Sequence, residues 1–423
     1  MAVGRYSGRI ALLGLSLYLS FIAYLLTQLP EGATLILANG LVRIDSTVLL
    51  SILFMGAILF LIVCRLNNLG WEFHLLLFGG FTGAIYLVSG YDWLISLIGF
   101  EFLNLSTYLL LALYRGTESA TLKYFLLSAF FTTMLLLSIS LFYGLTGSTS
   151  FDSLLASLSY LDPSLLFWPQ LLLLLTISFK LGLFPVHLWV PDVYDGLPME
   201  LVLWIGTLPK VAILFFLPVI HFFLLGVTNF LLLAGVLSFI LAAISLGAQY
   251  RIKRFLAFSA IGHMGILLTG FAIGDYHSFW FYTLLYFTAS INLFLILSEL
   301  PGIDLMKRIS IITSNYPLAF AFMIAVFTMA AVPPFTGFYA KLLVLFGLLD
   351  VRAIALAGLL ILTSLRTAAY YLRLLQTTFF SSTSFSTNDS MSMSMSMSIN
   401  VAYPTLIALT STCLLPTTQL LLL

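Results

Sequence analysis

Residues 171–185 read LLLLLTISFKLGLFP and place one lysine, Lys180, inside an apolar run that ends at Pro185. A charge at the centre of a bilayer costs about 2.5–3.5 kcal/mol on insertion scales, so such residues usually have a function. Proline lacks a backbone N–H and clashes with the preceding turn, so a helix through this run is expected to break near Pro185. The stretch therefore predicts a membrane helix that is interrupted close to a buried cation.

The composition of the whole chain is typical of a membrane protein. Of the 423 residues, 61% are hydrophobic and 8% are charged, whereas soluble domains have about 25% charged residues. Mean hydropathy is +1.12. The net charge of +1 indicates neither a nucleic-acid footprint nor a surface for acidic substrates. Cys64 and Cys413 stand far apart in apolar runs, so we interpret them as packing residues and not as metal ligands or a disulfide.

Thirteen apolar segments have about the 20-residue length that a spanning helix needs. Backbone groups in lipid must be satisfied within the segment, which predicts helices and not the shorter, less apolar strands of a barrel. No cleavage-site pattern follows the first segment, so we interpret it as a membrane helix and not as a signal sequence. The predicted spans are 9–28, 46–64, 74–90, 92–114, 119–143, 166–187, 199–222, 229–249, 255–274, 278–299, 317–349, 353–375 and 401–421.

The basic residues between these spans favour one orientation. With thirteen helices, ten lysines and arginines lie on the side of the N-terminus, and only Arg43 and Arg352 lie on the other side. The positive-inside rule then predicts that the N-terminus faces the cytoplasm or the matrix. The loop 188–200 is an exception, because it carries three acidic residues and no basic one on that side. The ten residues are Arg5, Arg9, Arg65, Arg115, Arg251, Lys253, Arg254, Lys307, Arg308 and Arg373.

Short loops and one polar segment suggest how the chain is organised. The stretch 381–400 is a low-complexity run of serine and methionine, which we interpret as a flexible linker. The predicted parts are N-terminal helices in 1–73, a first half in 74–222, a second half in 223–380, the linker 381–400 and a last helix in 401–423.

Several ionisable residues fall inside the predicted spans, where the usual explanation is an ion or proton path facing the interior of the helix bundle. Two of the lysines, Lys180 and Lys341, lie deep and close to prolines, one in each predicted half. The complete set is Glu101, Lys123, Lys180, Lys210, His263, Lys341 and Arg366.

Each of these residues also has a simpler explanation. Lys123 and Arg366 could snorkel towards the membrane surface, or Arg366 could form a structural pair. Lys210 follows a proline inside its helix, and a structural ion pair is the alternative there. Glu101 could be a buried structural partner, and His263 could be a hydrogen-bonded core histidine.

The surroundings of Lys180 and Lys341 suggest a repeated architecture. The two lysines lie on predicted helices six and eleven, and the order of lysine and proline is reversed between them. Broken helices at corresponding places in two halves indicate an ion site in a transporter built from inverted repeats. We therefore predict two inverted five-helix repeats with discontinuous helices. The residues expected at the breaks are Pro185 in the first half and Pro333, Pro334 and Gly337 in the second.

These residue types suggest a proton relay. Burial favours the neutral form of a lysine and a nearby carboxylate favours the charged form, so a change in their separation or hydration can move a proton. We predict that Glu101 is the switchable partner of Lys123 or Lys180. Lys210 would pass the proton to the second half and Lys341 would release it. His263 could bridge the path, because histidine titrates near physiological pH.

At these residues the sequence resembles the antiporter-like subunits of respiratory complex I (NADH:ubiquinone oxidoreductase) and of related sodium/proton antiporter complexes. Within that group it is most similar to the branch known as chain 2, or subunit N in bacteria, which PDVYDGLP at 191–198 distinguishes best. The similarity covers roughly residues 45–375. The matching segments are IGFEFLNLSTYLL at 98–110, SATLKYFLLSAF at 119–130, SFKLGLFPVHLWVPDVYDGLP at 178–198, LPKVAIL at 208–214, LGAQYRIKRFLAFSAIGHMG at 246–265 and AVPPFTGFYAKL at 331–342.

The resemblance implies a function for the whole chain. It implies an all-α polytopic membrane protein with about 13 helices that translocates protons within complex I, with neighbouring antiporter-like subunits and lipids as partners. It also implies that Glu101, Lys123, Lys180, Lys210 and Lys341 are channel residues. There are departures: the first of the fourteen helices of bacterial members has no counterpart, and Ile266 replaces a common tyrosine, which weakens the case for His263.

Three further expectations follow from the same residues. No Gly-rich dinucleotide loop or cysteine cluster is present, so we expect that this chain binds no cofactor and that other subunits carry out the redox chemistry. The alternatives are a stand-alone cation/proton antiporter and a structural spacer that does not pump. Short loops favour the mitochondrial inner membrane, with a plastid or bacterial membrane as alternatives.

Overall fold

The fold is helical throughout, apart from one short hairpin. A computed structural model describes residues 2–28, 34–66, 70–158, 160–300, 312–313, 315–333 and 335–380. Within those ranges the elements are α1 (Ala2–Gln28), β1 (Leu35–Leu37), β2 (Val42–Ile44), α2 (Ser46–Arg65), α3 (Trp71–Ser89), α4 (Trp93–Ala112), α5 (Glu118–Thr146), α6 (Phe151–Leu158), α7 (Pro163–Leu181), α8 (Trp189–Gly196), α9 (Met199–Phe216), α10 (Thr228–Ser245), α11 (Ile252–Ala272), α12 (Tyr276–Ser298), α13 (Tyr316–Ala330), α14 (Thr336–Asp350) and α15 (Ile354–Phe379). Short 3-10 helices lie at Ala38–Gly40, His221–Val227 and Leu246–Ala248.

The chain is a multi-pass membrane protein. Eleven helical segments in the described ranges are long and apolar enough to cross a bilayer, namely α1 to α5, α7, α9, α10 with its flanking 3-10 turns, α11, α12 and α15. The all-α polytopic class predicted from the sequence is therefore confirmed. The linker 381–400 and the span 401–421 lie outside the described residues, so the total of thirteen spans stays a prediction.

The predicted span 317–349 is two helices and not one. Helix α13 ends at Ala330, and the next residue, Ala331, takes a left-handed backbone conformation (φ 58°, ψ 50°) that a helix cannot continue through. Helix α14 starts only at Thr336. Pro333 therefore lies between the two helices, and Pro334 lies outside the described residues.

Gly337 does not lie at this break, contrary to the prediction, but in the first turn of α14. A Cβ atom at this position would overlap the backbone carbonyl oxygen of Thr328, which belongs to the last turn of α13. Only glycine therefore lets the start of α14 lie against the end of α13. The ring of Phe335 stacks on Phe327 across the same break, with centroids 5.2 Å apart.

The first break also differs in its position from the prediction. Helix α7 ends at Leu181, and Gly182 adopts a left-handed conformation (φ 78°, ψ 41°) that glycine takes without steric cost. The chain then passes through a cis Phe184–Pro185 peptide bond before α8 begins at Trp189. The helix is therefore terminated by Gly182, before the proline, and the predicted loop 188–200 contains a short helix.

Contacts group the chain into two compact units. The first unit comprises Met1–Gly182 and Gly196–Phe230, and within it α3 packs on α4, α5 on α7, and α9 on α2 and α3. The second unit comprises Leu183–Asp195 and Leu231–Leu423, and within it α12 packs on α13 and α14, and α11 on α12 and α14. The segment with α8 groups with the second unit, although it lies between two parts of the first in the chain.

We expect Gly337→Ala to destabilise the packing of α13 against α14, because the added methyl group has no room beside the Thr328 carbonyl. Overpacking of this kind typically costs about 1–3 kcal/mol. The measurement is the thermal midpoint of the full-length chain purified in detergent. Gly358→Ala on α15 is the matched control, since a Cβ there meets nothing within 4 Å. Equal midpoints for the two variants would contradict the assigned role of Gly337.

Candidate functional site

Lys180 lies in a buried polar pocket of the first unit. Its side chain is on the last turn of α7 and is only 4% exposed. The ammonium group donates hydrogen bonds to Asn104 Oδ1 at 2.5 Å and to Ser128 Oγ at 2.6 Å. It also lies 5.4 Å from the ring centre of Tyr124, within reach of a cation–π interaction. The carbonyl groups at the end of a helix favour a cation, so the break after Leu181 supports the charged lysine.

Glu101 lies on α4, one turn before Asn104, and its carboxylate interacts electrostatically with Lys180. Its side chain is half-buried. Tyr108 is one further turn along the same helix face as Asn104 and also interacts electrostatically with Glu101. The structure therefore brings together the predicted pair of Glu101 and Lys180 and adds polar groups that the sequence analysis did not select.

The missed partners are neutral side chains. The hydroxyl of Ser128 is close to the phenol groups of both Tyr108 and Tyr124. Asn104 and Tyr108 follow Glu101 at intervals of three and seven residues, and Ser128 follows Tyr124 at an interval of four. Both spacings place side chains on one face of a helix, and this periodicity is the signal that could have identified them.

The Lys180 pocket can accommodate both protonation states of the amine. Asn104 and Ser128 now accept hydrogen bonds from the ammonium group, but each side chain also contains a donor. The amide nitrogen of Asn104 is buried and has no hydrogen-bond partner among the described residues. A rotated amide or hydroxyl could therefore donate to a neutral lysine. Carboxylate ligands, in contrast, would favour only the charged form.

Lys210 is the second buried lysine of the first unit. It lies within α9, directly after Pro209, and is 1% exposed. Pro209 cannot donate to the carbonyl of Ile205, so the backbone of α9 has an acceptor without its helical hydrogen bond one turn before the lysine. This places a titratable group beside an interruption of the helical hydrogen bonding.

Lys123 lies outside the Lys180 pocket. It is on α5, one residue before Tyr124, and its side chain is exposed on the surface of the chain. Consecutive helical residues point about 100° apart, so Tyr124 faces the Lys180 pocket while Lys123 points away from it. The structure therefore places Glu101 within electrostatic reach of Lys180, and a role of Lys123 in the relay stays a prediction.

In the second unit, the imidazole of His263 is held by two tyrosines of α12. Its Nδ1 lies 2.8 Å from the hydroxyl of Tyr282, and the ring of Tyr286 lies 5.0 Å away between centroids. His263 is on α11 and only 8% of its surface is exposed. The tyrosines are four residues apart and so occupy one face of α12.

Two cavities of the second unit meet at His263. One, with about 20 Å³ of space for water, is also lined by Lys341, Ser259 and Tyr371. The other, also of about 20 Å³, is lined by Tyr282 and by residues around the break between α13 and α14. Lys341, on α14, is 7% exposed and interacts electrostatically with His263. The histidine thus lies on a wall that both cavities share.

The cavity lined by Lys341 contains a second hydroxyl pair. The side chains of Ser259 and Tyr371 are hydrogen-bonded and both are buried. Ser259 lies one turn before His263 on α11, and Tyr371 lies on α15. Hydroxyl groups both donate and accept hydrogen bonds, so this pair extends the polar lining from Lys341 and His263 along α11. The sequence analysis selected neither residue.

The acidic loop 188–200 is explained by ion pairs within the second unit. Asp195, on α8, accepts hydrogen bonds from Arg251 at 2.7 Å and from Arg254 at 3.0 Å. Asp192 lies 3.8 Å from Arg254. The loop that lacked basic residues therefore contacts the basic residues at the start of α11. This contact agrees with the predicted topology, which puts both segments on the same side of the membrane.

The comparison with known sequences identifies the family. Residues 90–367 match the family described as "NADH:quinone oxidoreductase/Mrp antiporter, TM". The chain belongs to this family. It is 53% identical over 426 residues to the NADH-ubiquinone oxidoreductase chain 2 of Hyaloraphidium curvatum, with 100% of this chain and 97% of that relative covered. The NADH-quinone oxidoreductase subunit N of Hydrogenovibrio crunogenus is 33% identical over 331 residues, covering 74% of this chain and 69% of that protein. The predicted branch, chain 2 or subunit N, is thus confirmed.

Solved structures support the same assignment. A chain of respiratory complex I from Thermus thermophilus, solved with bound aureothin, is 28% identical with a TM-score of 0.79, covering 95% of this chain and 92% of that one. A chain of the Mrp complex from Dietzia sp. is 18% identical with a TM-score of 0.84, covering 99% and 91%, which shows a common fold. The antiporter-like subunit fold is confirmed, and the two inverted five-helix repeats stay a prediction.

We expect Asn104→Leu to destabilise the chain, because the buried Lys180 ammonium loses one of its two hydrogen-bond acceptors. Loss of a hydrogen bond to a charged group typically costs about 1.5–3 kcal/mol. The thermal midpoint of the full-length chain in detergent measures the effect. Ser106→Ala is the matched control on α4, because the buried Ser106 hydroxyl bonds only to a backbone carbonyl of its own helix. The assigned contact would be refuted by a midpoint in Asn104→Leu no lower than in the control.

Proposed function

We propose that this chain is a proton-translocating, non-redox subunit in the membrane arm of NADH:ubiquinone oxidoreductase. The observation that carries the proposal is the Lys180 pocket, where a fully buried amine contacts groups that can bind it in either protonation state. The relatives named NADH-ubiquinone oxidoreductase chain 2 and NADH-quinone oxidoreductase subunit N supply the reaction. We propose that other subunits hold the redox centres and that this chain binds no cofactor.

In the first unit, Glu101 acts as the switch. When its carboxylate is charged and close, it favours the Lys180 ammonium, and when it is neutralised or moves away, burial favours the neutral amine. The proton that Lys180 gives up is passed on at Lys210. Lys123 would act at the surface of α5, where a neighbouring subunit can contact it.

In the second unit, His263 passes protons between the two cavities that meet at its ring. Its Nδ1 is bonded to Tyr282, which fixes the ring in one orientation. Lys341 would be the terminal carrier. Each cavity has about 20 Å³ of space, which is enough for about one water molecule, and the hydroxyl, imidazole and ammonium groups that line them are polar partners for such a water.

We propose the mitochondrial inner membrane as the location, with the N-terminus on the matrix side. The distribution of basic loop residues supports this orientation. The ion pair of Asp195 with Arg251 supports the placement of these two loops on one common side. Partners would be the other membrane-arm subunits, above all the neighbouring antiporter-like ones. A blue-native gel that separates the chain from every NADH-oxidising assembly would contradict the proposal.

Two rival functions make different predictions. A stand-alone cation/proton antiporter would exchange sodium for protons when the purified chain is reconstituted alone in liposomes. A structural spacer would support assembly but would not need its own charged residues for pumping. The antiporter alternative is worth testing because the family description also includes Mrp antiporters. The spacer alternative is tested by the variants described next.

In the assembled complex, we expect Lys180→Ala and Glu101→Gln to lower the number of protons pumped per NADH. Removal of a proton-transfer group typically slows transfer by about 100-fold or more, so the contribution of this subunit should be lost. The measurement is proton uptake by inside-out membrane vesicles, divided by NADH oxidation in the same sample.

Arg115→Ala is the control for this experiment. It also removes one charge, but from the exposed loop between α4 and α5, outside the membrane-spanning helices. Normal pumping stoichiometry in both Lys180→Ala and Glu101→Gln, in complexes of normal abundance, would support the spacer and end the relay proposal.

We expect Tyr282→Phe to slow pumping more than Tyr286→Phe. The first change removes the hydrogen bond that orients His263, whereas Tyr286 contacts the imidazole through its ring, which phenylalanine retains. The expected loss for Tyr282→Phe is about tenfold in proton transfer through the second unit, which is less than the roughly 100-fold loss for removal of a proton-transfer group because His263 itself remains. Proton uptake per NADH in vesicles again measures it. Equal effects of the two variants would show that the Tyr282 hydroxyl does not orient His263.

A further inference from the structure

The hydroxyl pair of Ser259 and Tyr371 lies towards one end of the helices of the second unit. Ser259 is seven residues after the start of α11, and Tyr371 is eight residues before the end of α15. At 1.5 Å per residue, these helix ends are about 10–12 Å away. The two ends lie on the same side, because a Cβ atom at Gly247 would overlap the hydroxyl of Tyr370, and Gly247 is four residues before Arg251, where α11 begins.

This side of the second unit carries basic residues and reaches the surface of the chain. Arg251 and Arg254 lie at the start of α11, and Arg373 follows Tyr371 by two residues on α15. Tyr250 is 78% exposed, and Arg251 is exposed as well. We call this region, marked by Arg251, Arg254 and Arg373, the basic end. In the orientation proposed above, the basic end faces the matrix.

The cavity that contains Lys341 extends along two helices as far as the hydroxyl pair. Its lining on α11 runs from Ile266 to Ser259, and its lining on α15 runs from Thr363 to Tyr371. Each run covers about 10–12 Å of helix. Ser259 and Tyr371 are the members of these two runs that lie nearest the basic end. The pair therefore separates the rest of the polar lining on α11 and α15 from the basic end.

The wall that α15 contributes to this cavity is a row of hydroxyl groups. Thr363, Thr367 and Tyr371 follow one another at intervals of four residues, which places them on one face of the helix. The two threonines donate to backbone carbonyls of their own helix. The hydroxyls of Ser259 and Tyr371 instead bond to each other across two helices, and either can be the donor. This pair can therefore pass a proton in either direction.

The hydroxyl pair is also linked to the site around His263. Tyr371 interacts electrostatically with Tyr282 and Tyr286, the two tyrosines that hold the imidazole. Among the described residues that line the cavity, Lys341 and His263 are the two basic groups. They are therefore the acceptors that this lining offers to a proton arriving at the pair.

We propose that Ser259 and Tyr371 form an entry through which protons from the basic end reach Lys341. The inference rests on the proposed function, because it adds an entry to the second unit of a proton pump. A proton from the basic end binds the Ser259 oxygen while the hydrogen of that hydroxyl passes to the Tyr371 oxygen. The phenol hydrogen then passes, through the one water for which the cavity has space, to the neutral Lys341 amine. Both hydroxyls end with one hydrogen each, and the amine has become an ammonium.

The competing role of the pair is structural, as a hydrogen bond that fixes α15 to α11. The ring of Tyr371 also packs edge-on against Phe255 of α11, with centroids 5.2 Å apart, and phenylalanine would keep that contact. The position of both hydroxyls in the same cavity wall as Lys341 favours the entry. A purely structural bond would change the stability of the chain but not the rate at which an intact complex takes up protons.

The first test compares Tyr371→Phe and Ser259→Ala with Tyr370→Phe in the assembled complex. Tyr370→Phe is the matched control, because Tyr370 does not line the cavity and its hydroxyl accepts a hydrogen bond from the exposed Arg366 at 3.2 Å. The measurement is the rate of proton uptake by inside-out vesicles with equal amounts of complex. Removal of a proton-transfer group slows transfer by about 100-fold or more. We therefore expect slower uptake in Tyr371→Phe and Ser259→Ala and unaltered uptake in the control.

The second test asks on which side the entry opens. In inside-out vesicles the matrix face is in the bath, so the pH of the bath sets the supply of protons to the basic end. When the entry is impaired, this supply limits the rate. We expect uptake in Tyr371→Phe to fall more steeply with rising bath pH than uptake in the unaltered complex, with the pH inside the vesicles held constant. A structural role would leave the two dependences parallel.

Three results would overturn the inference. The first is equal uptake per complex in Tyr371→Phe, Ser259→Ala and Tyr370→Phe. The second is a lower abundance of the complex in Tyr371→Phe with normal uptake per complex, which would assign the pair a structural role. If Tyr371→Phe does not assemble, Ser259→Ala, which leaves α15 unaltered, decides in its place. The third is a steeper dependence on the internal pH and not on the bath pH. Failure of the proposed function would differ, because Lys180→Ala and Glu101→Gln would then also pump normally.

Discussion

A cation inside a membrane needs hydrogen-bond acceptors, because neither lipid nor an intact helix backbone offers any. The first unit meets this requirement at Lys180, where α7 ends at Gly182 and two neighbouring helices contribute Asn104 and Ser128. An uninterrupted α7 would use its last carbonyls for its own hydrogen bonds. The break ends α7 beside the lysine, and the side chains of Asn104 and Ser128 supply the acceptors that stabilise the buried amine.

The two units interrupt their helices by different chemistry. In the first, glycine takes a left-handed conformation directly after the lysine turn. In the second, Ala331 takes that conformation in spite of its side chain, and Gly337 allows the next helix to start against the Thr328 carbonyl. A left-handed non-glycine residue costs about 1–2 kcal/mol, which tertiary packing such as the stack of Phe327 on Phe335 must offset. The second break thus depends on its surroundings more than the first.

The sequence predicted these breaks and the deep lysines because both are local signals. A lysine in an apolar run and a proline in a helix are visible without any knowledge of neighbours. The partners were not visible in the same way. Asn104 and Ser128 are neutral residues of a kind common in membrane helices, and their pairing depends on how α4 and α5 are rotated. Helix α5 has large apolar residues on its exposed side as well as its buried one. Its pattern therefore could not show that Lys123 faces outwards.

The charged residues inside the spanning helices of this chain are of two kinds, buried lysines and an exposed arginine. Lys180 and Lys341 point inwards, where amides, hydroxyls and cavities surround groups that can gain or lose a proton. Arg366 points outwards, and a guanidinium stays protonated under all physiological conditions. An arginine therefore cannot gain and lose a proton in a relay, whatever surrounds it. The lysines differ, because a buried amine beside groups that both donate and accept hydrogen bonds can be held in either protonation state.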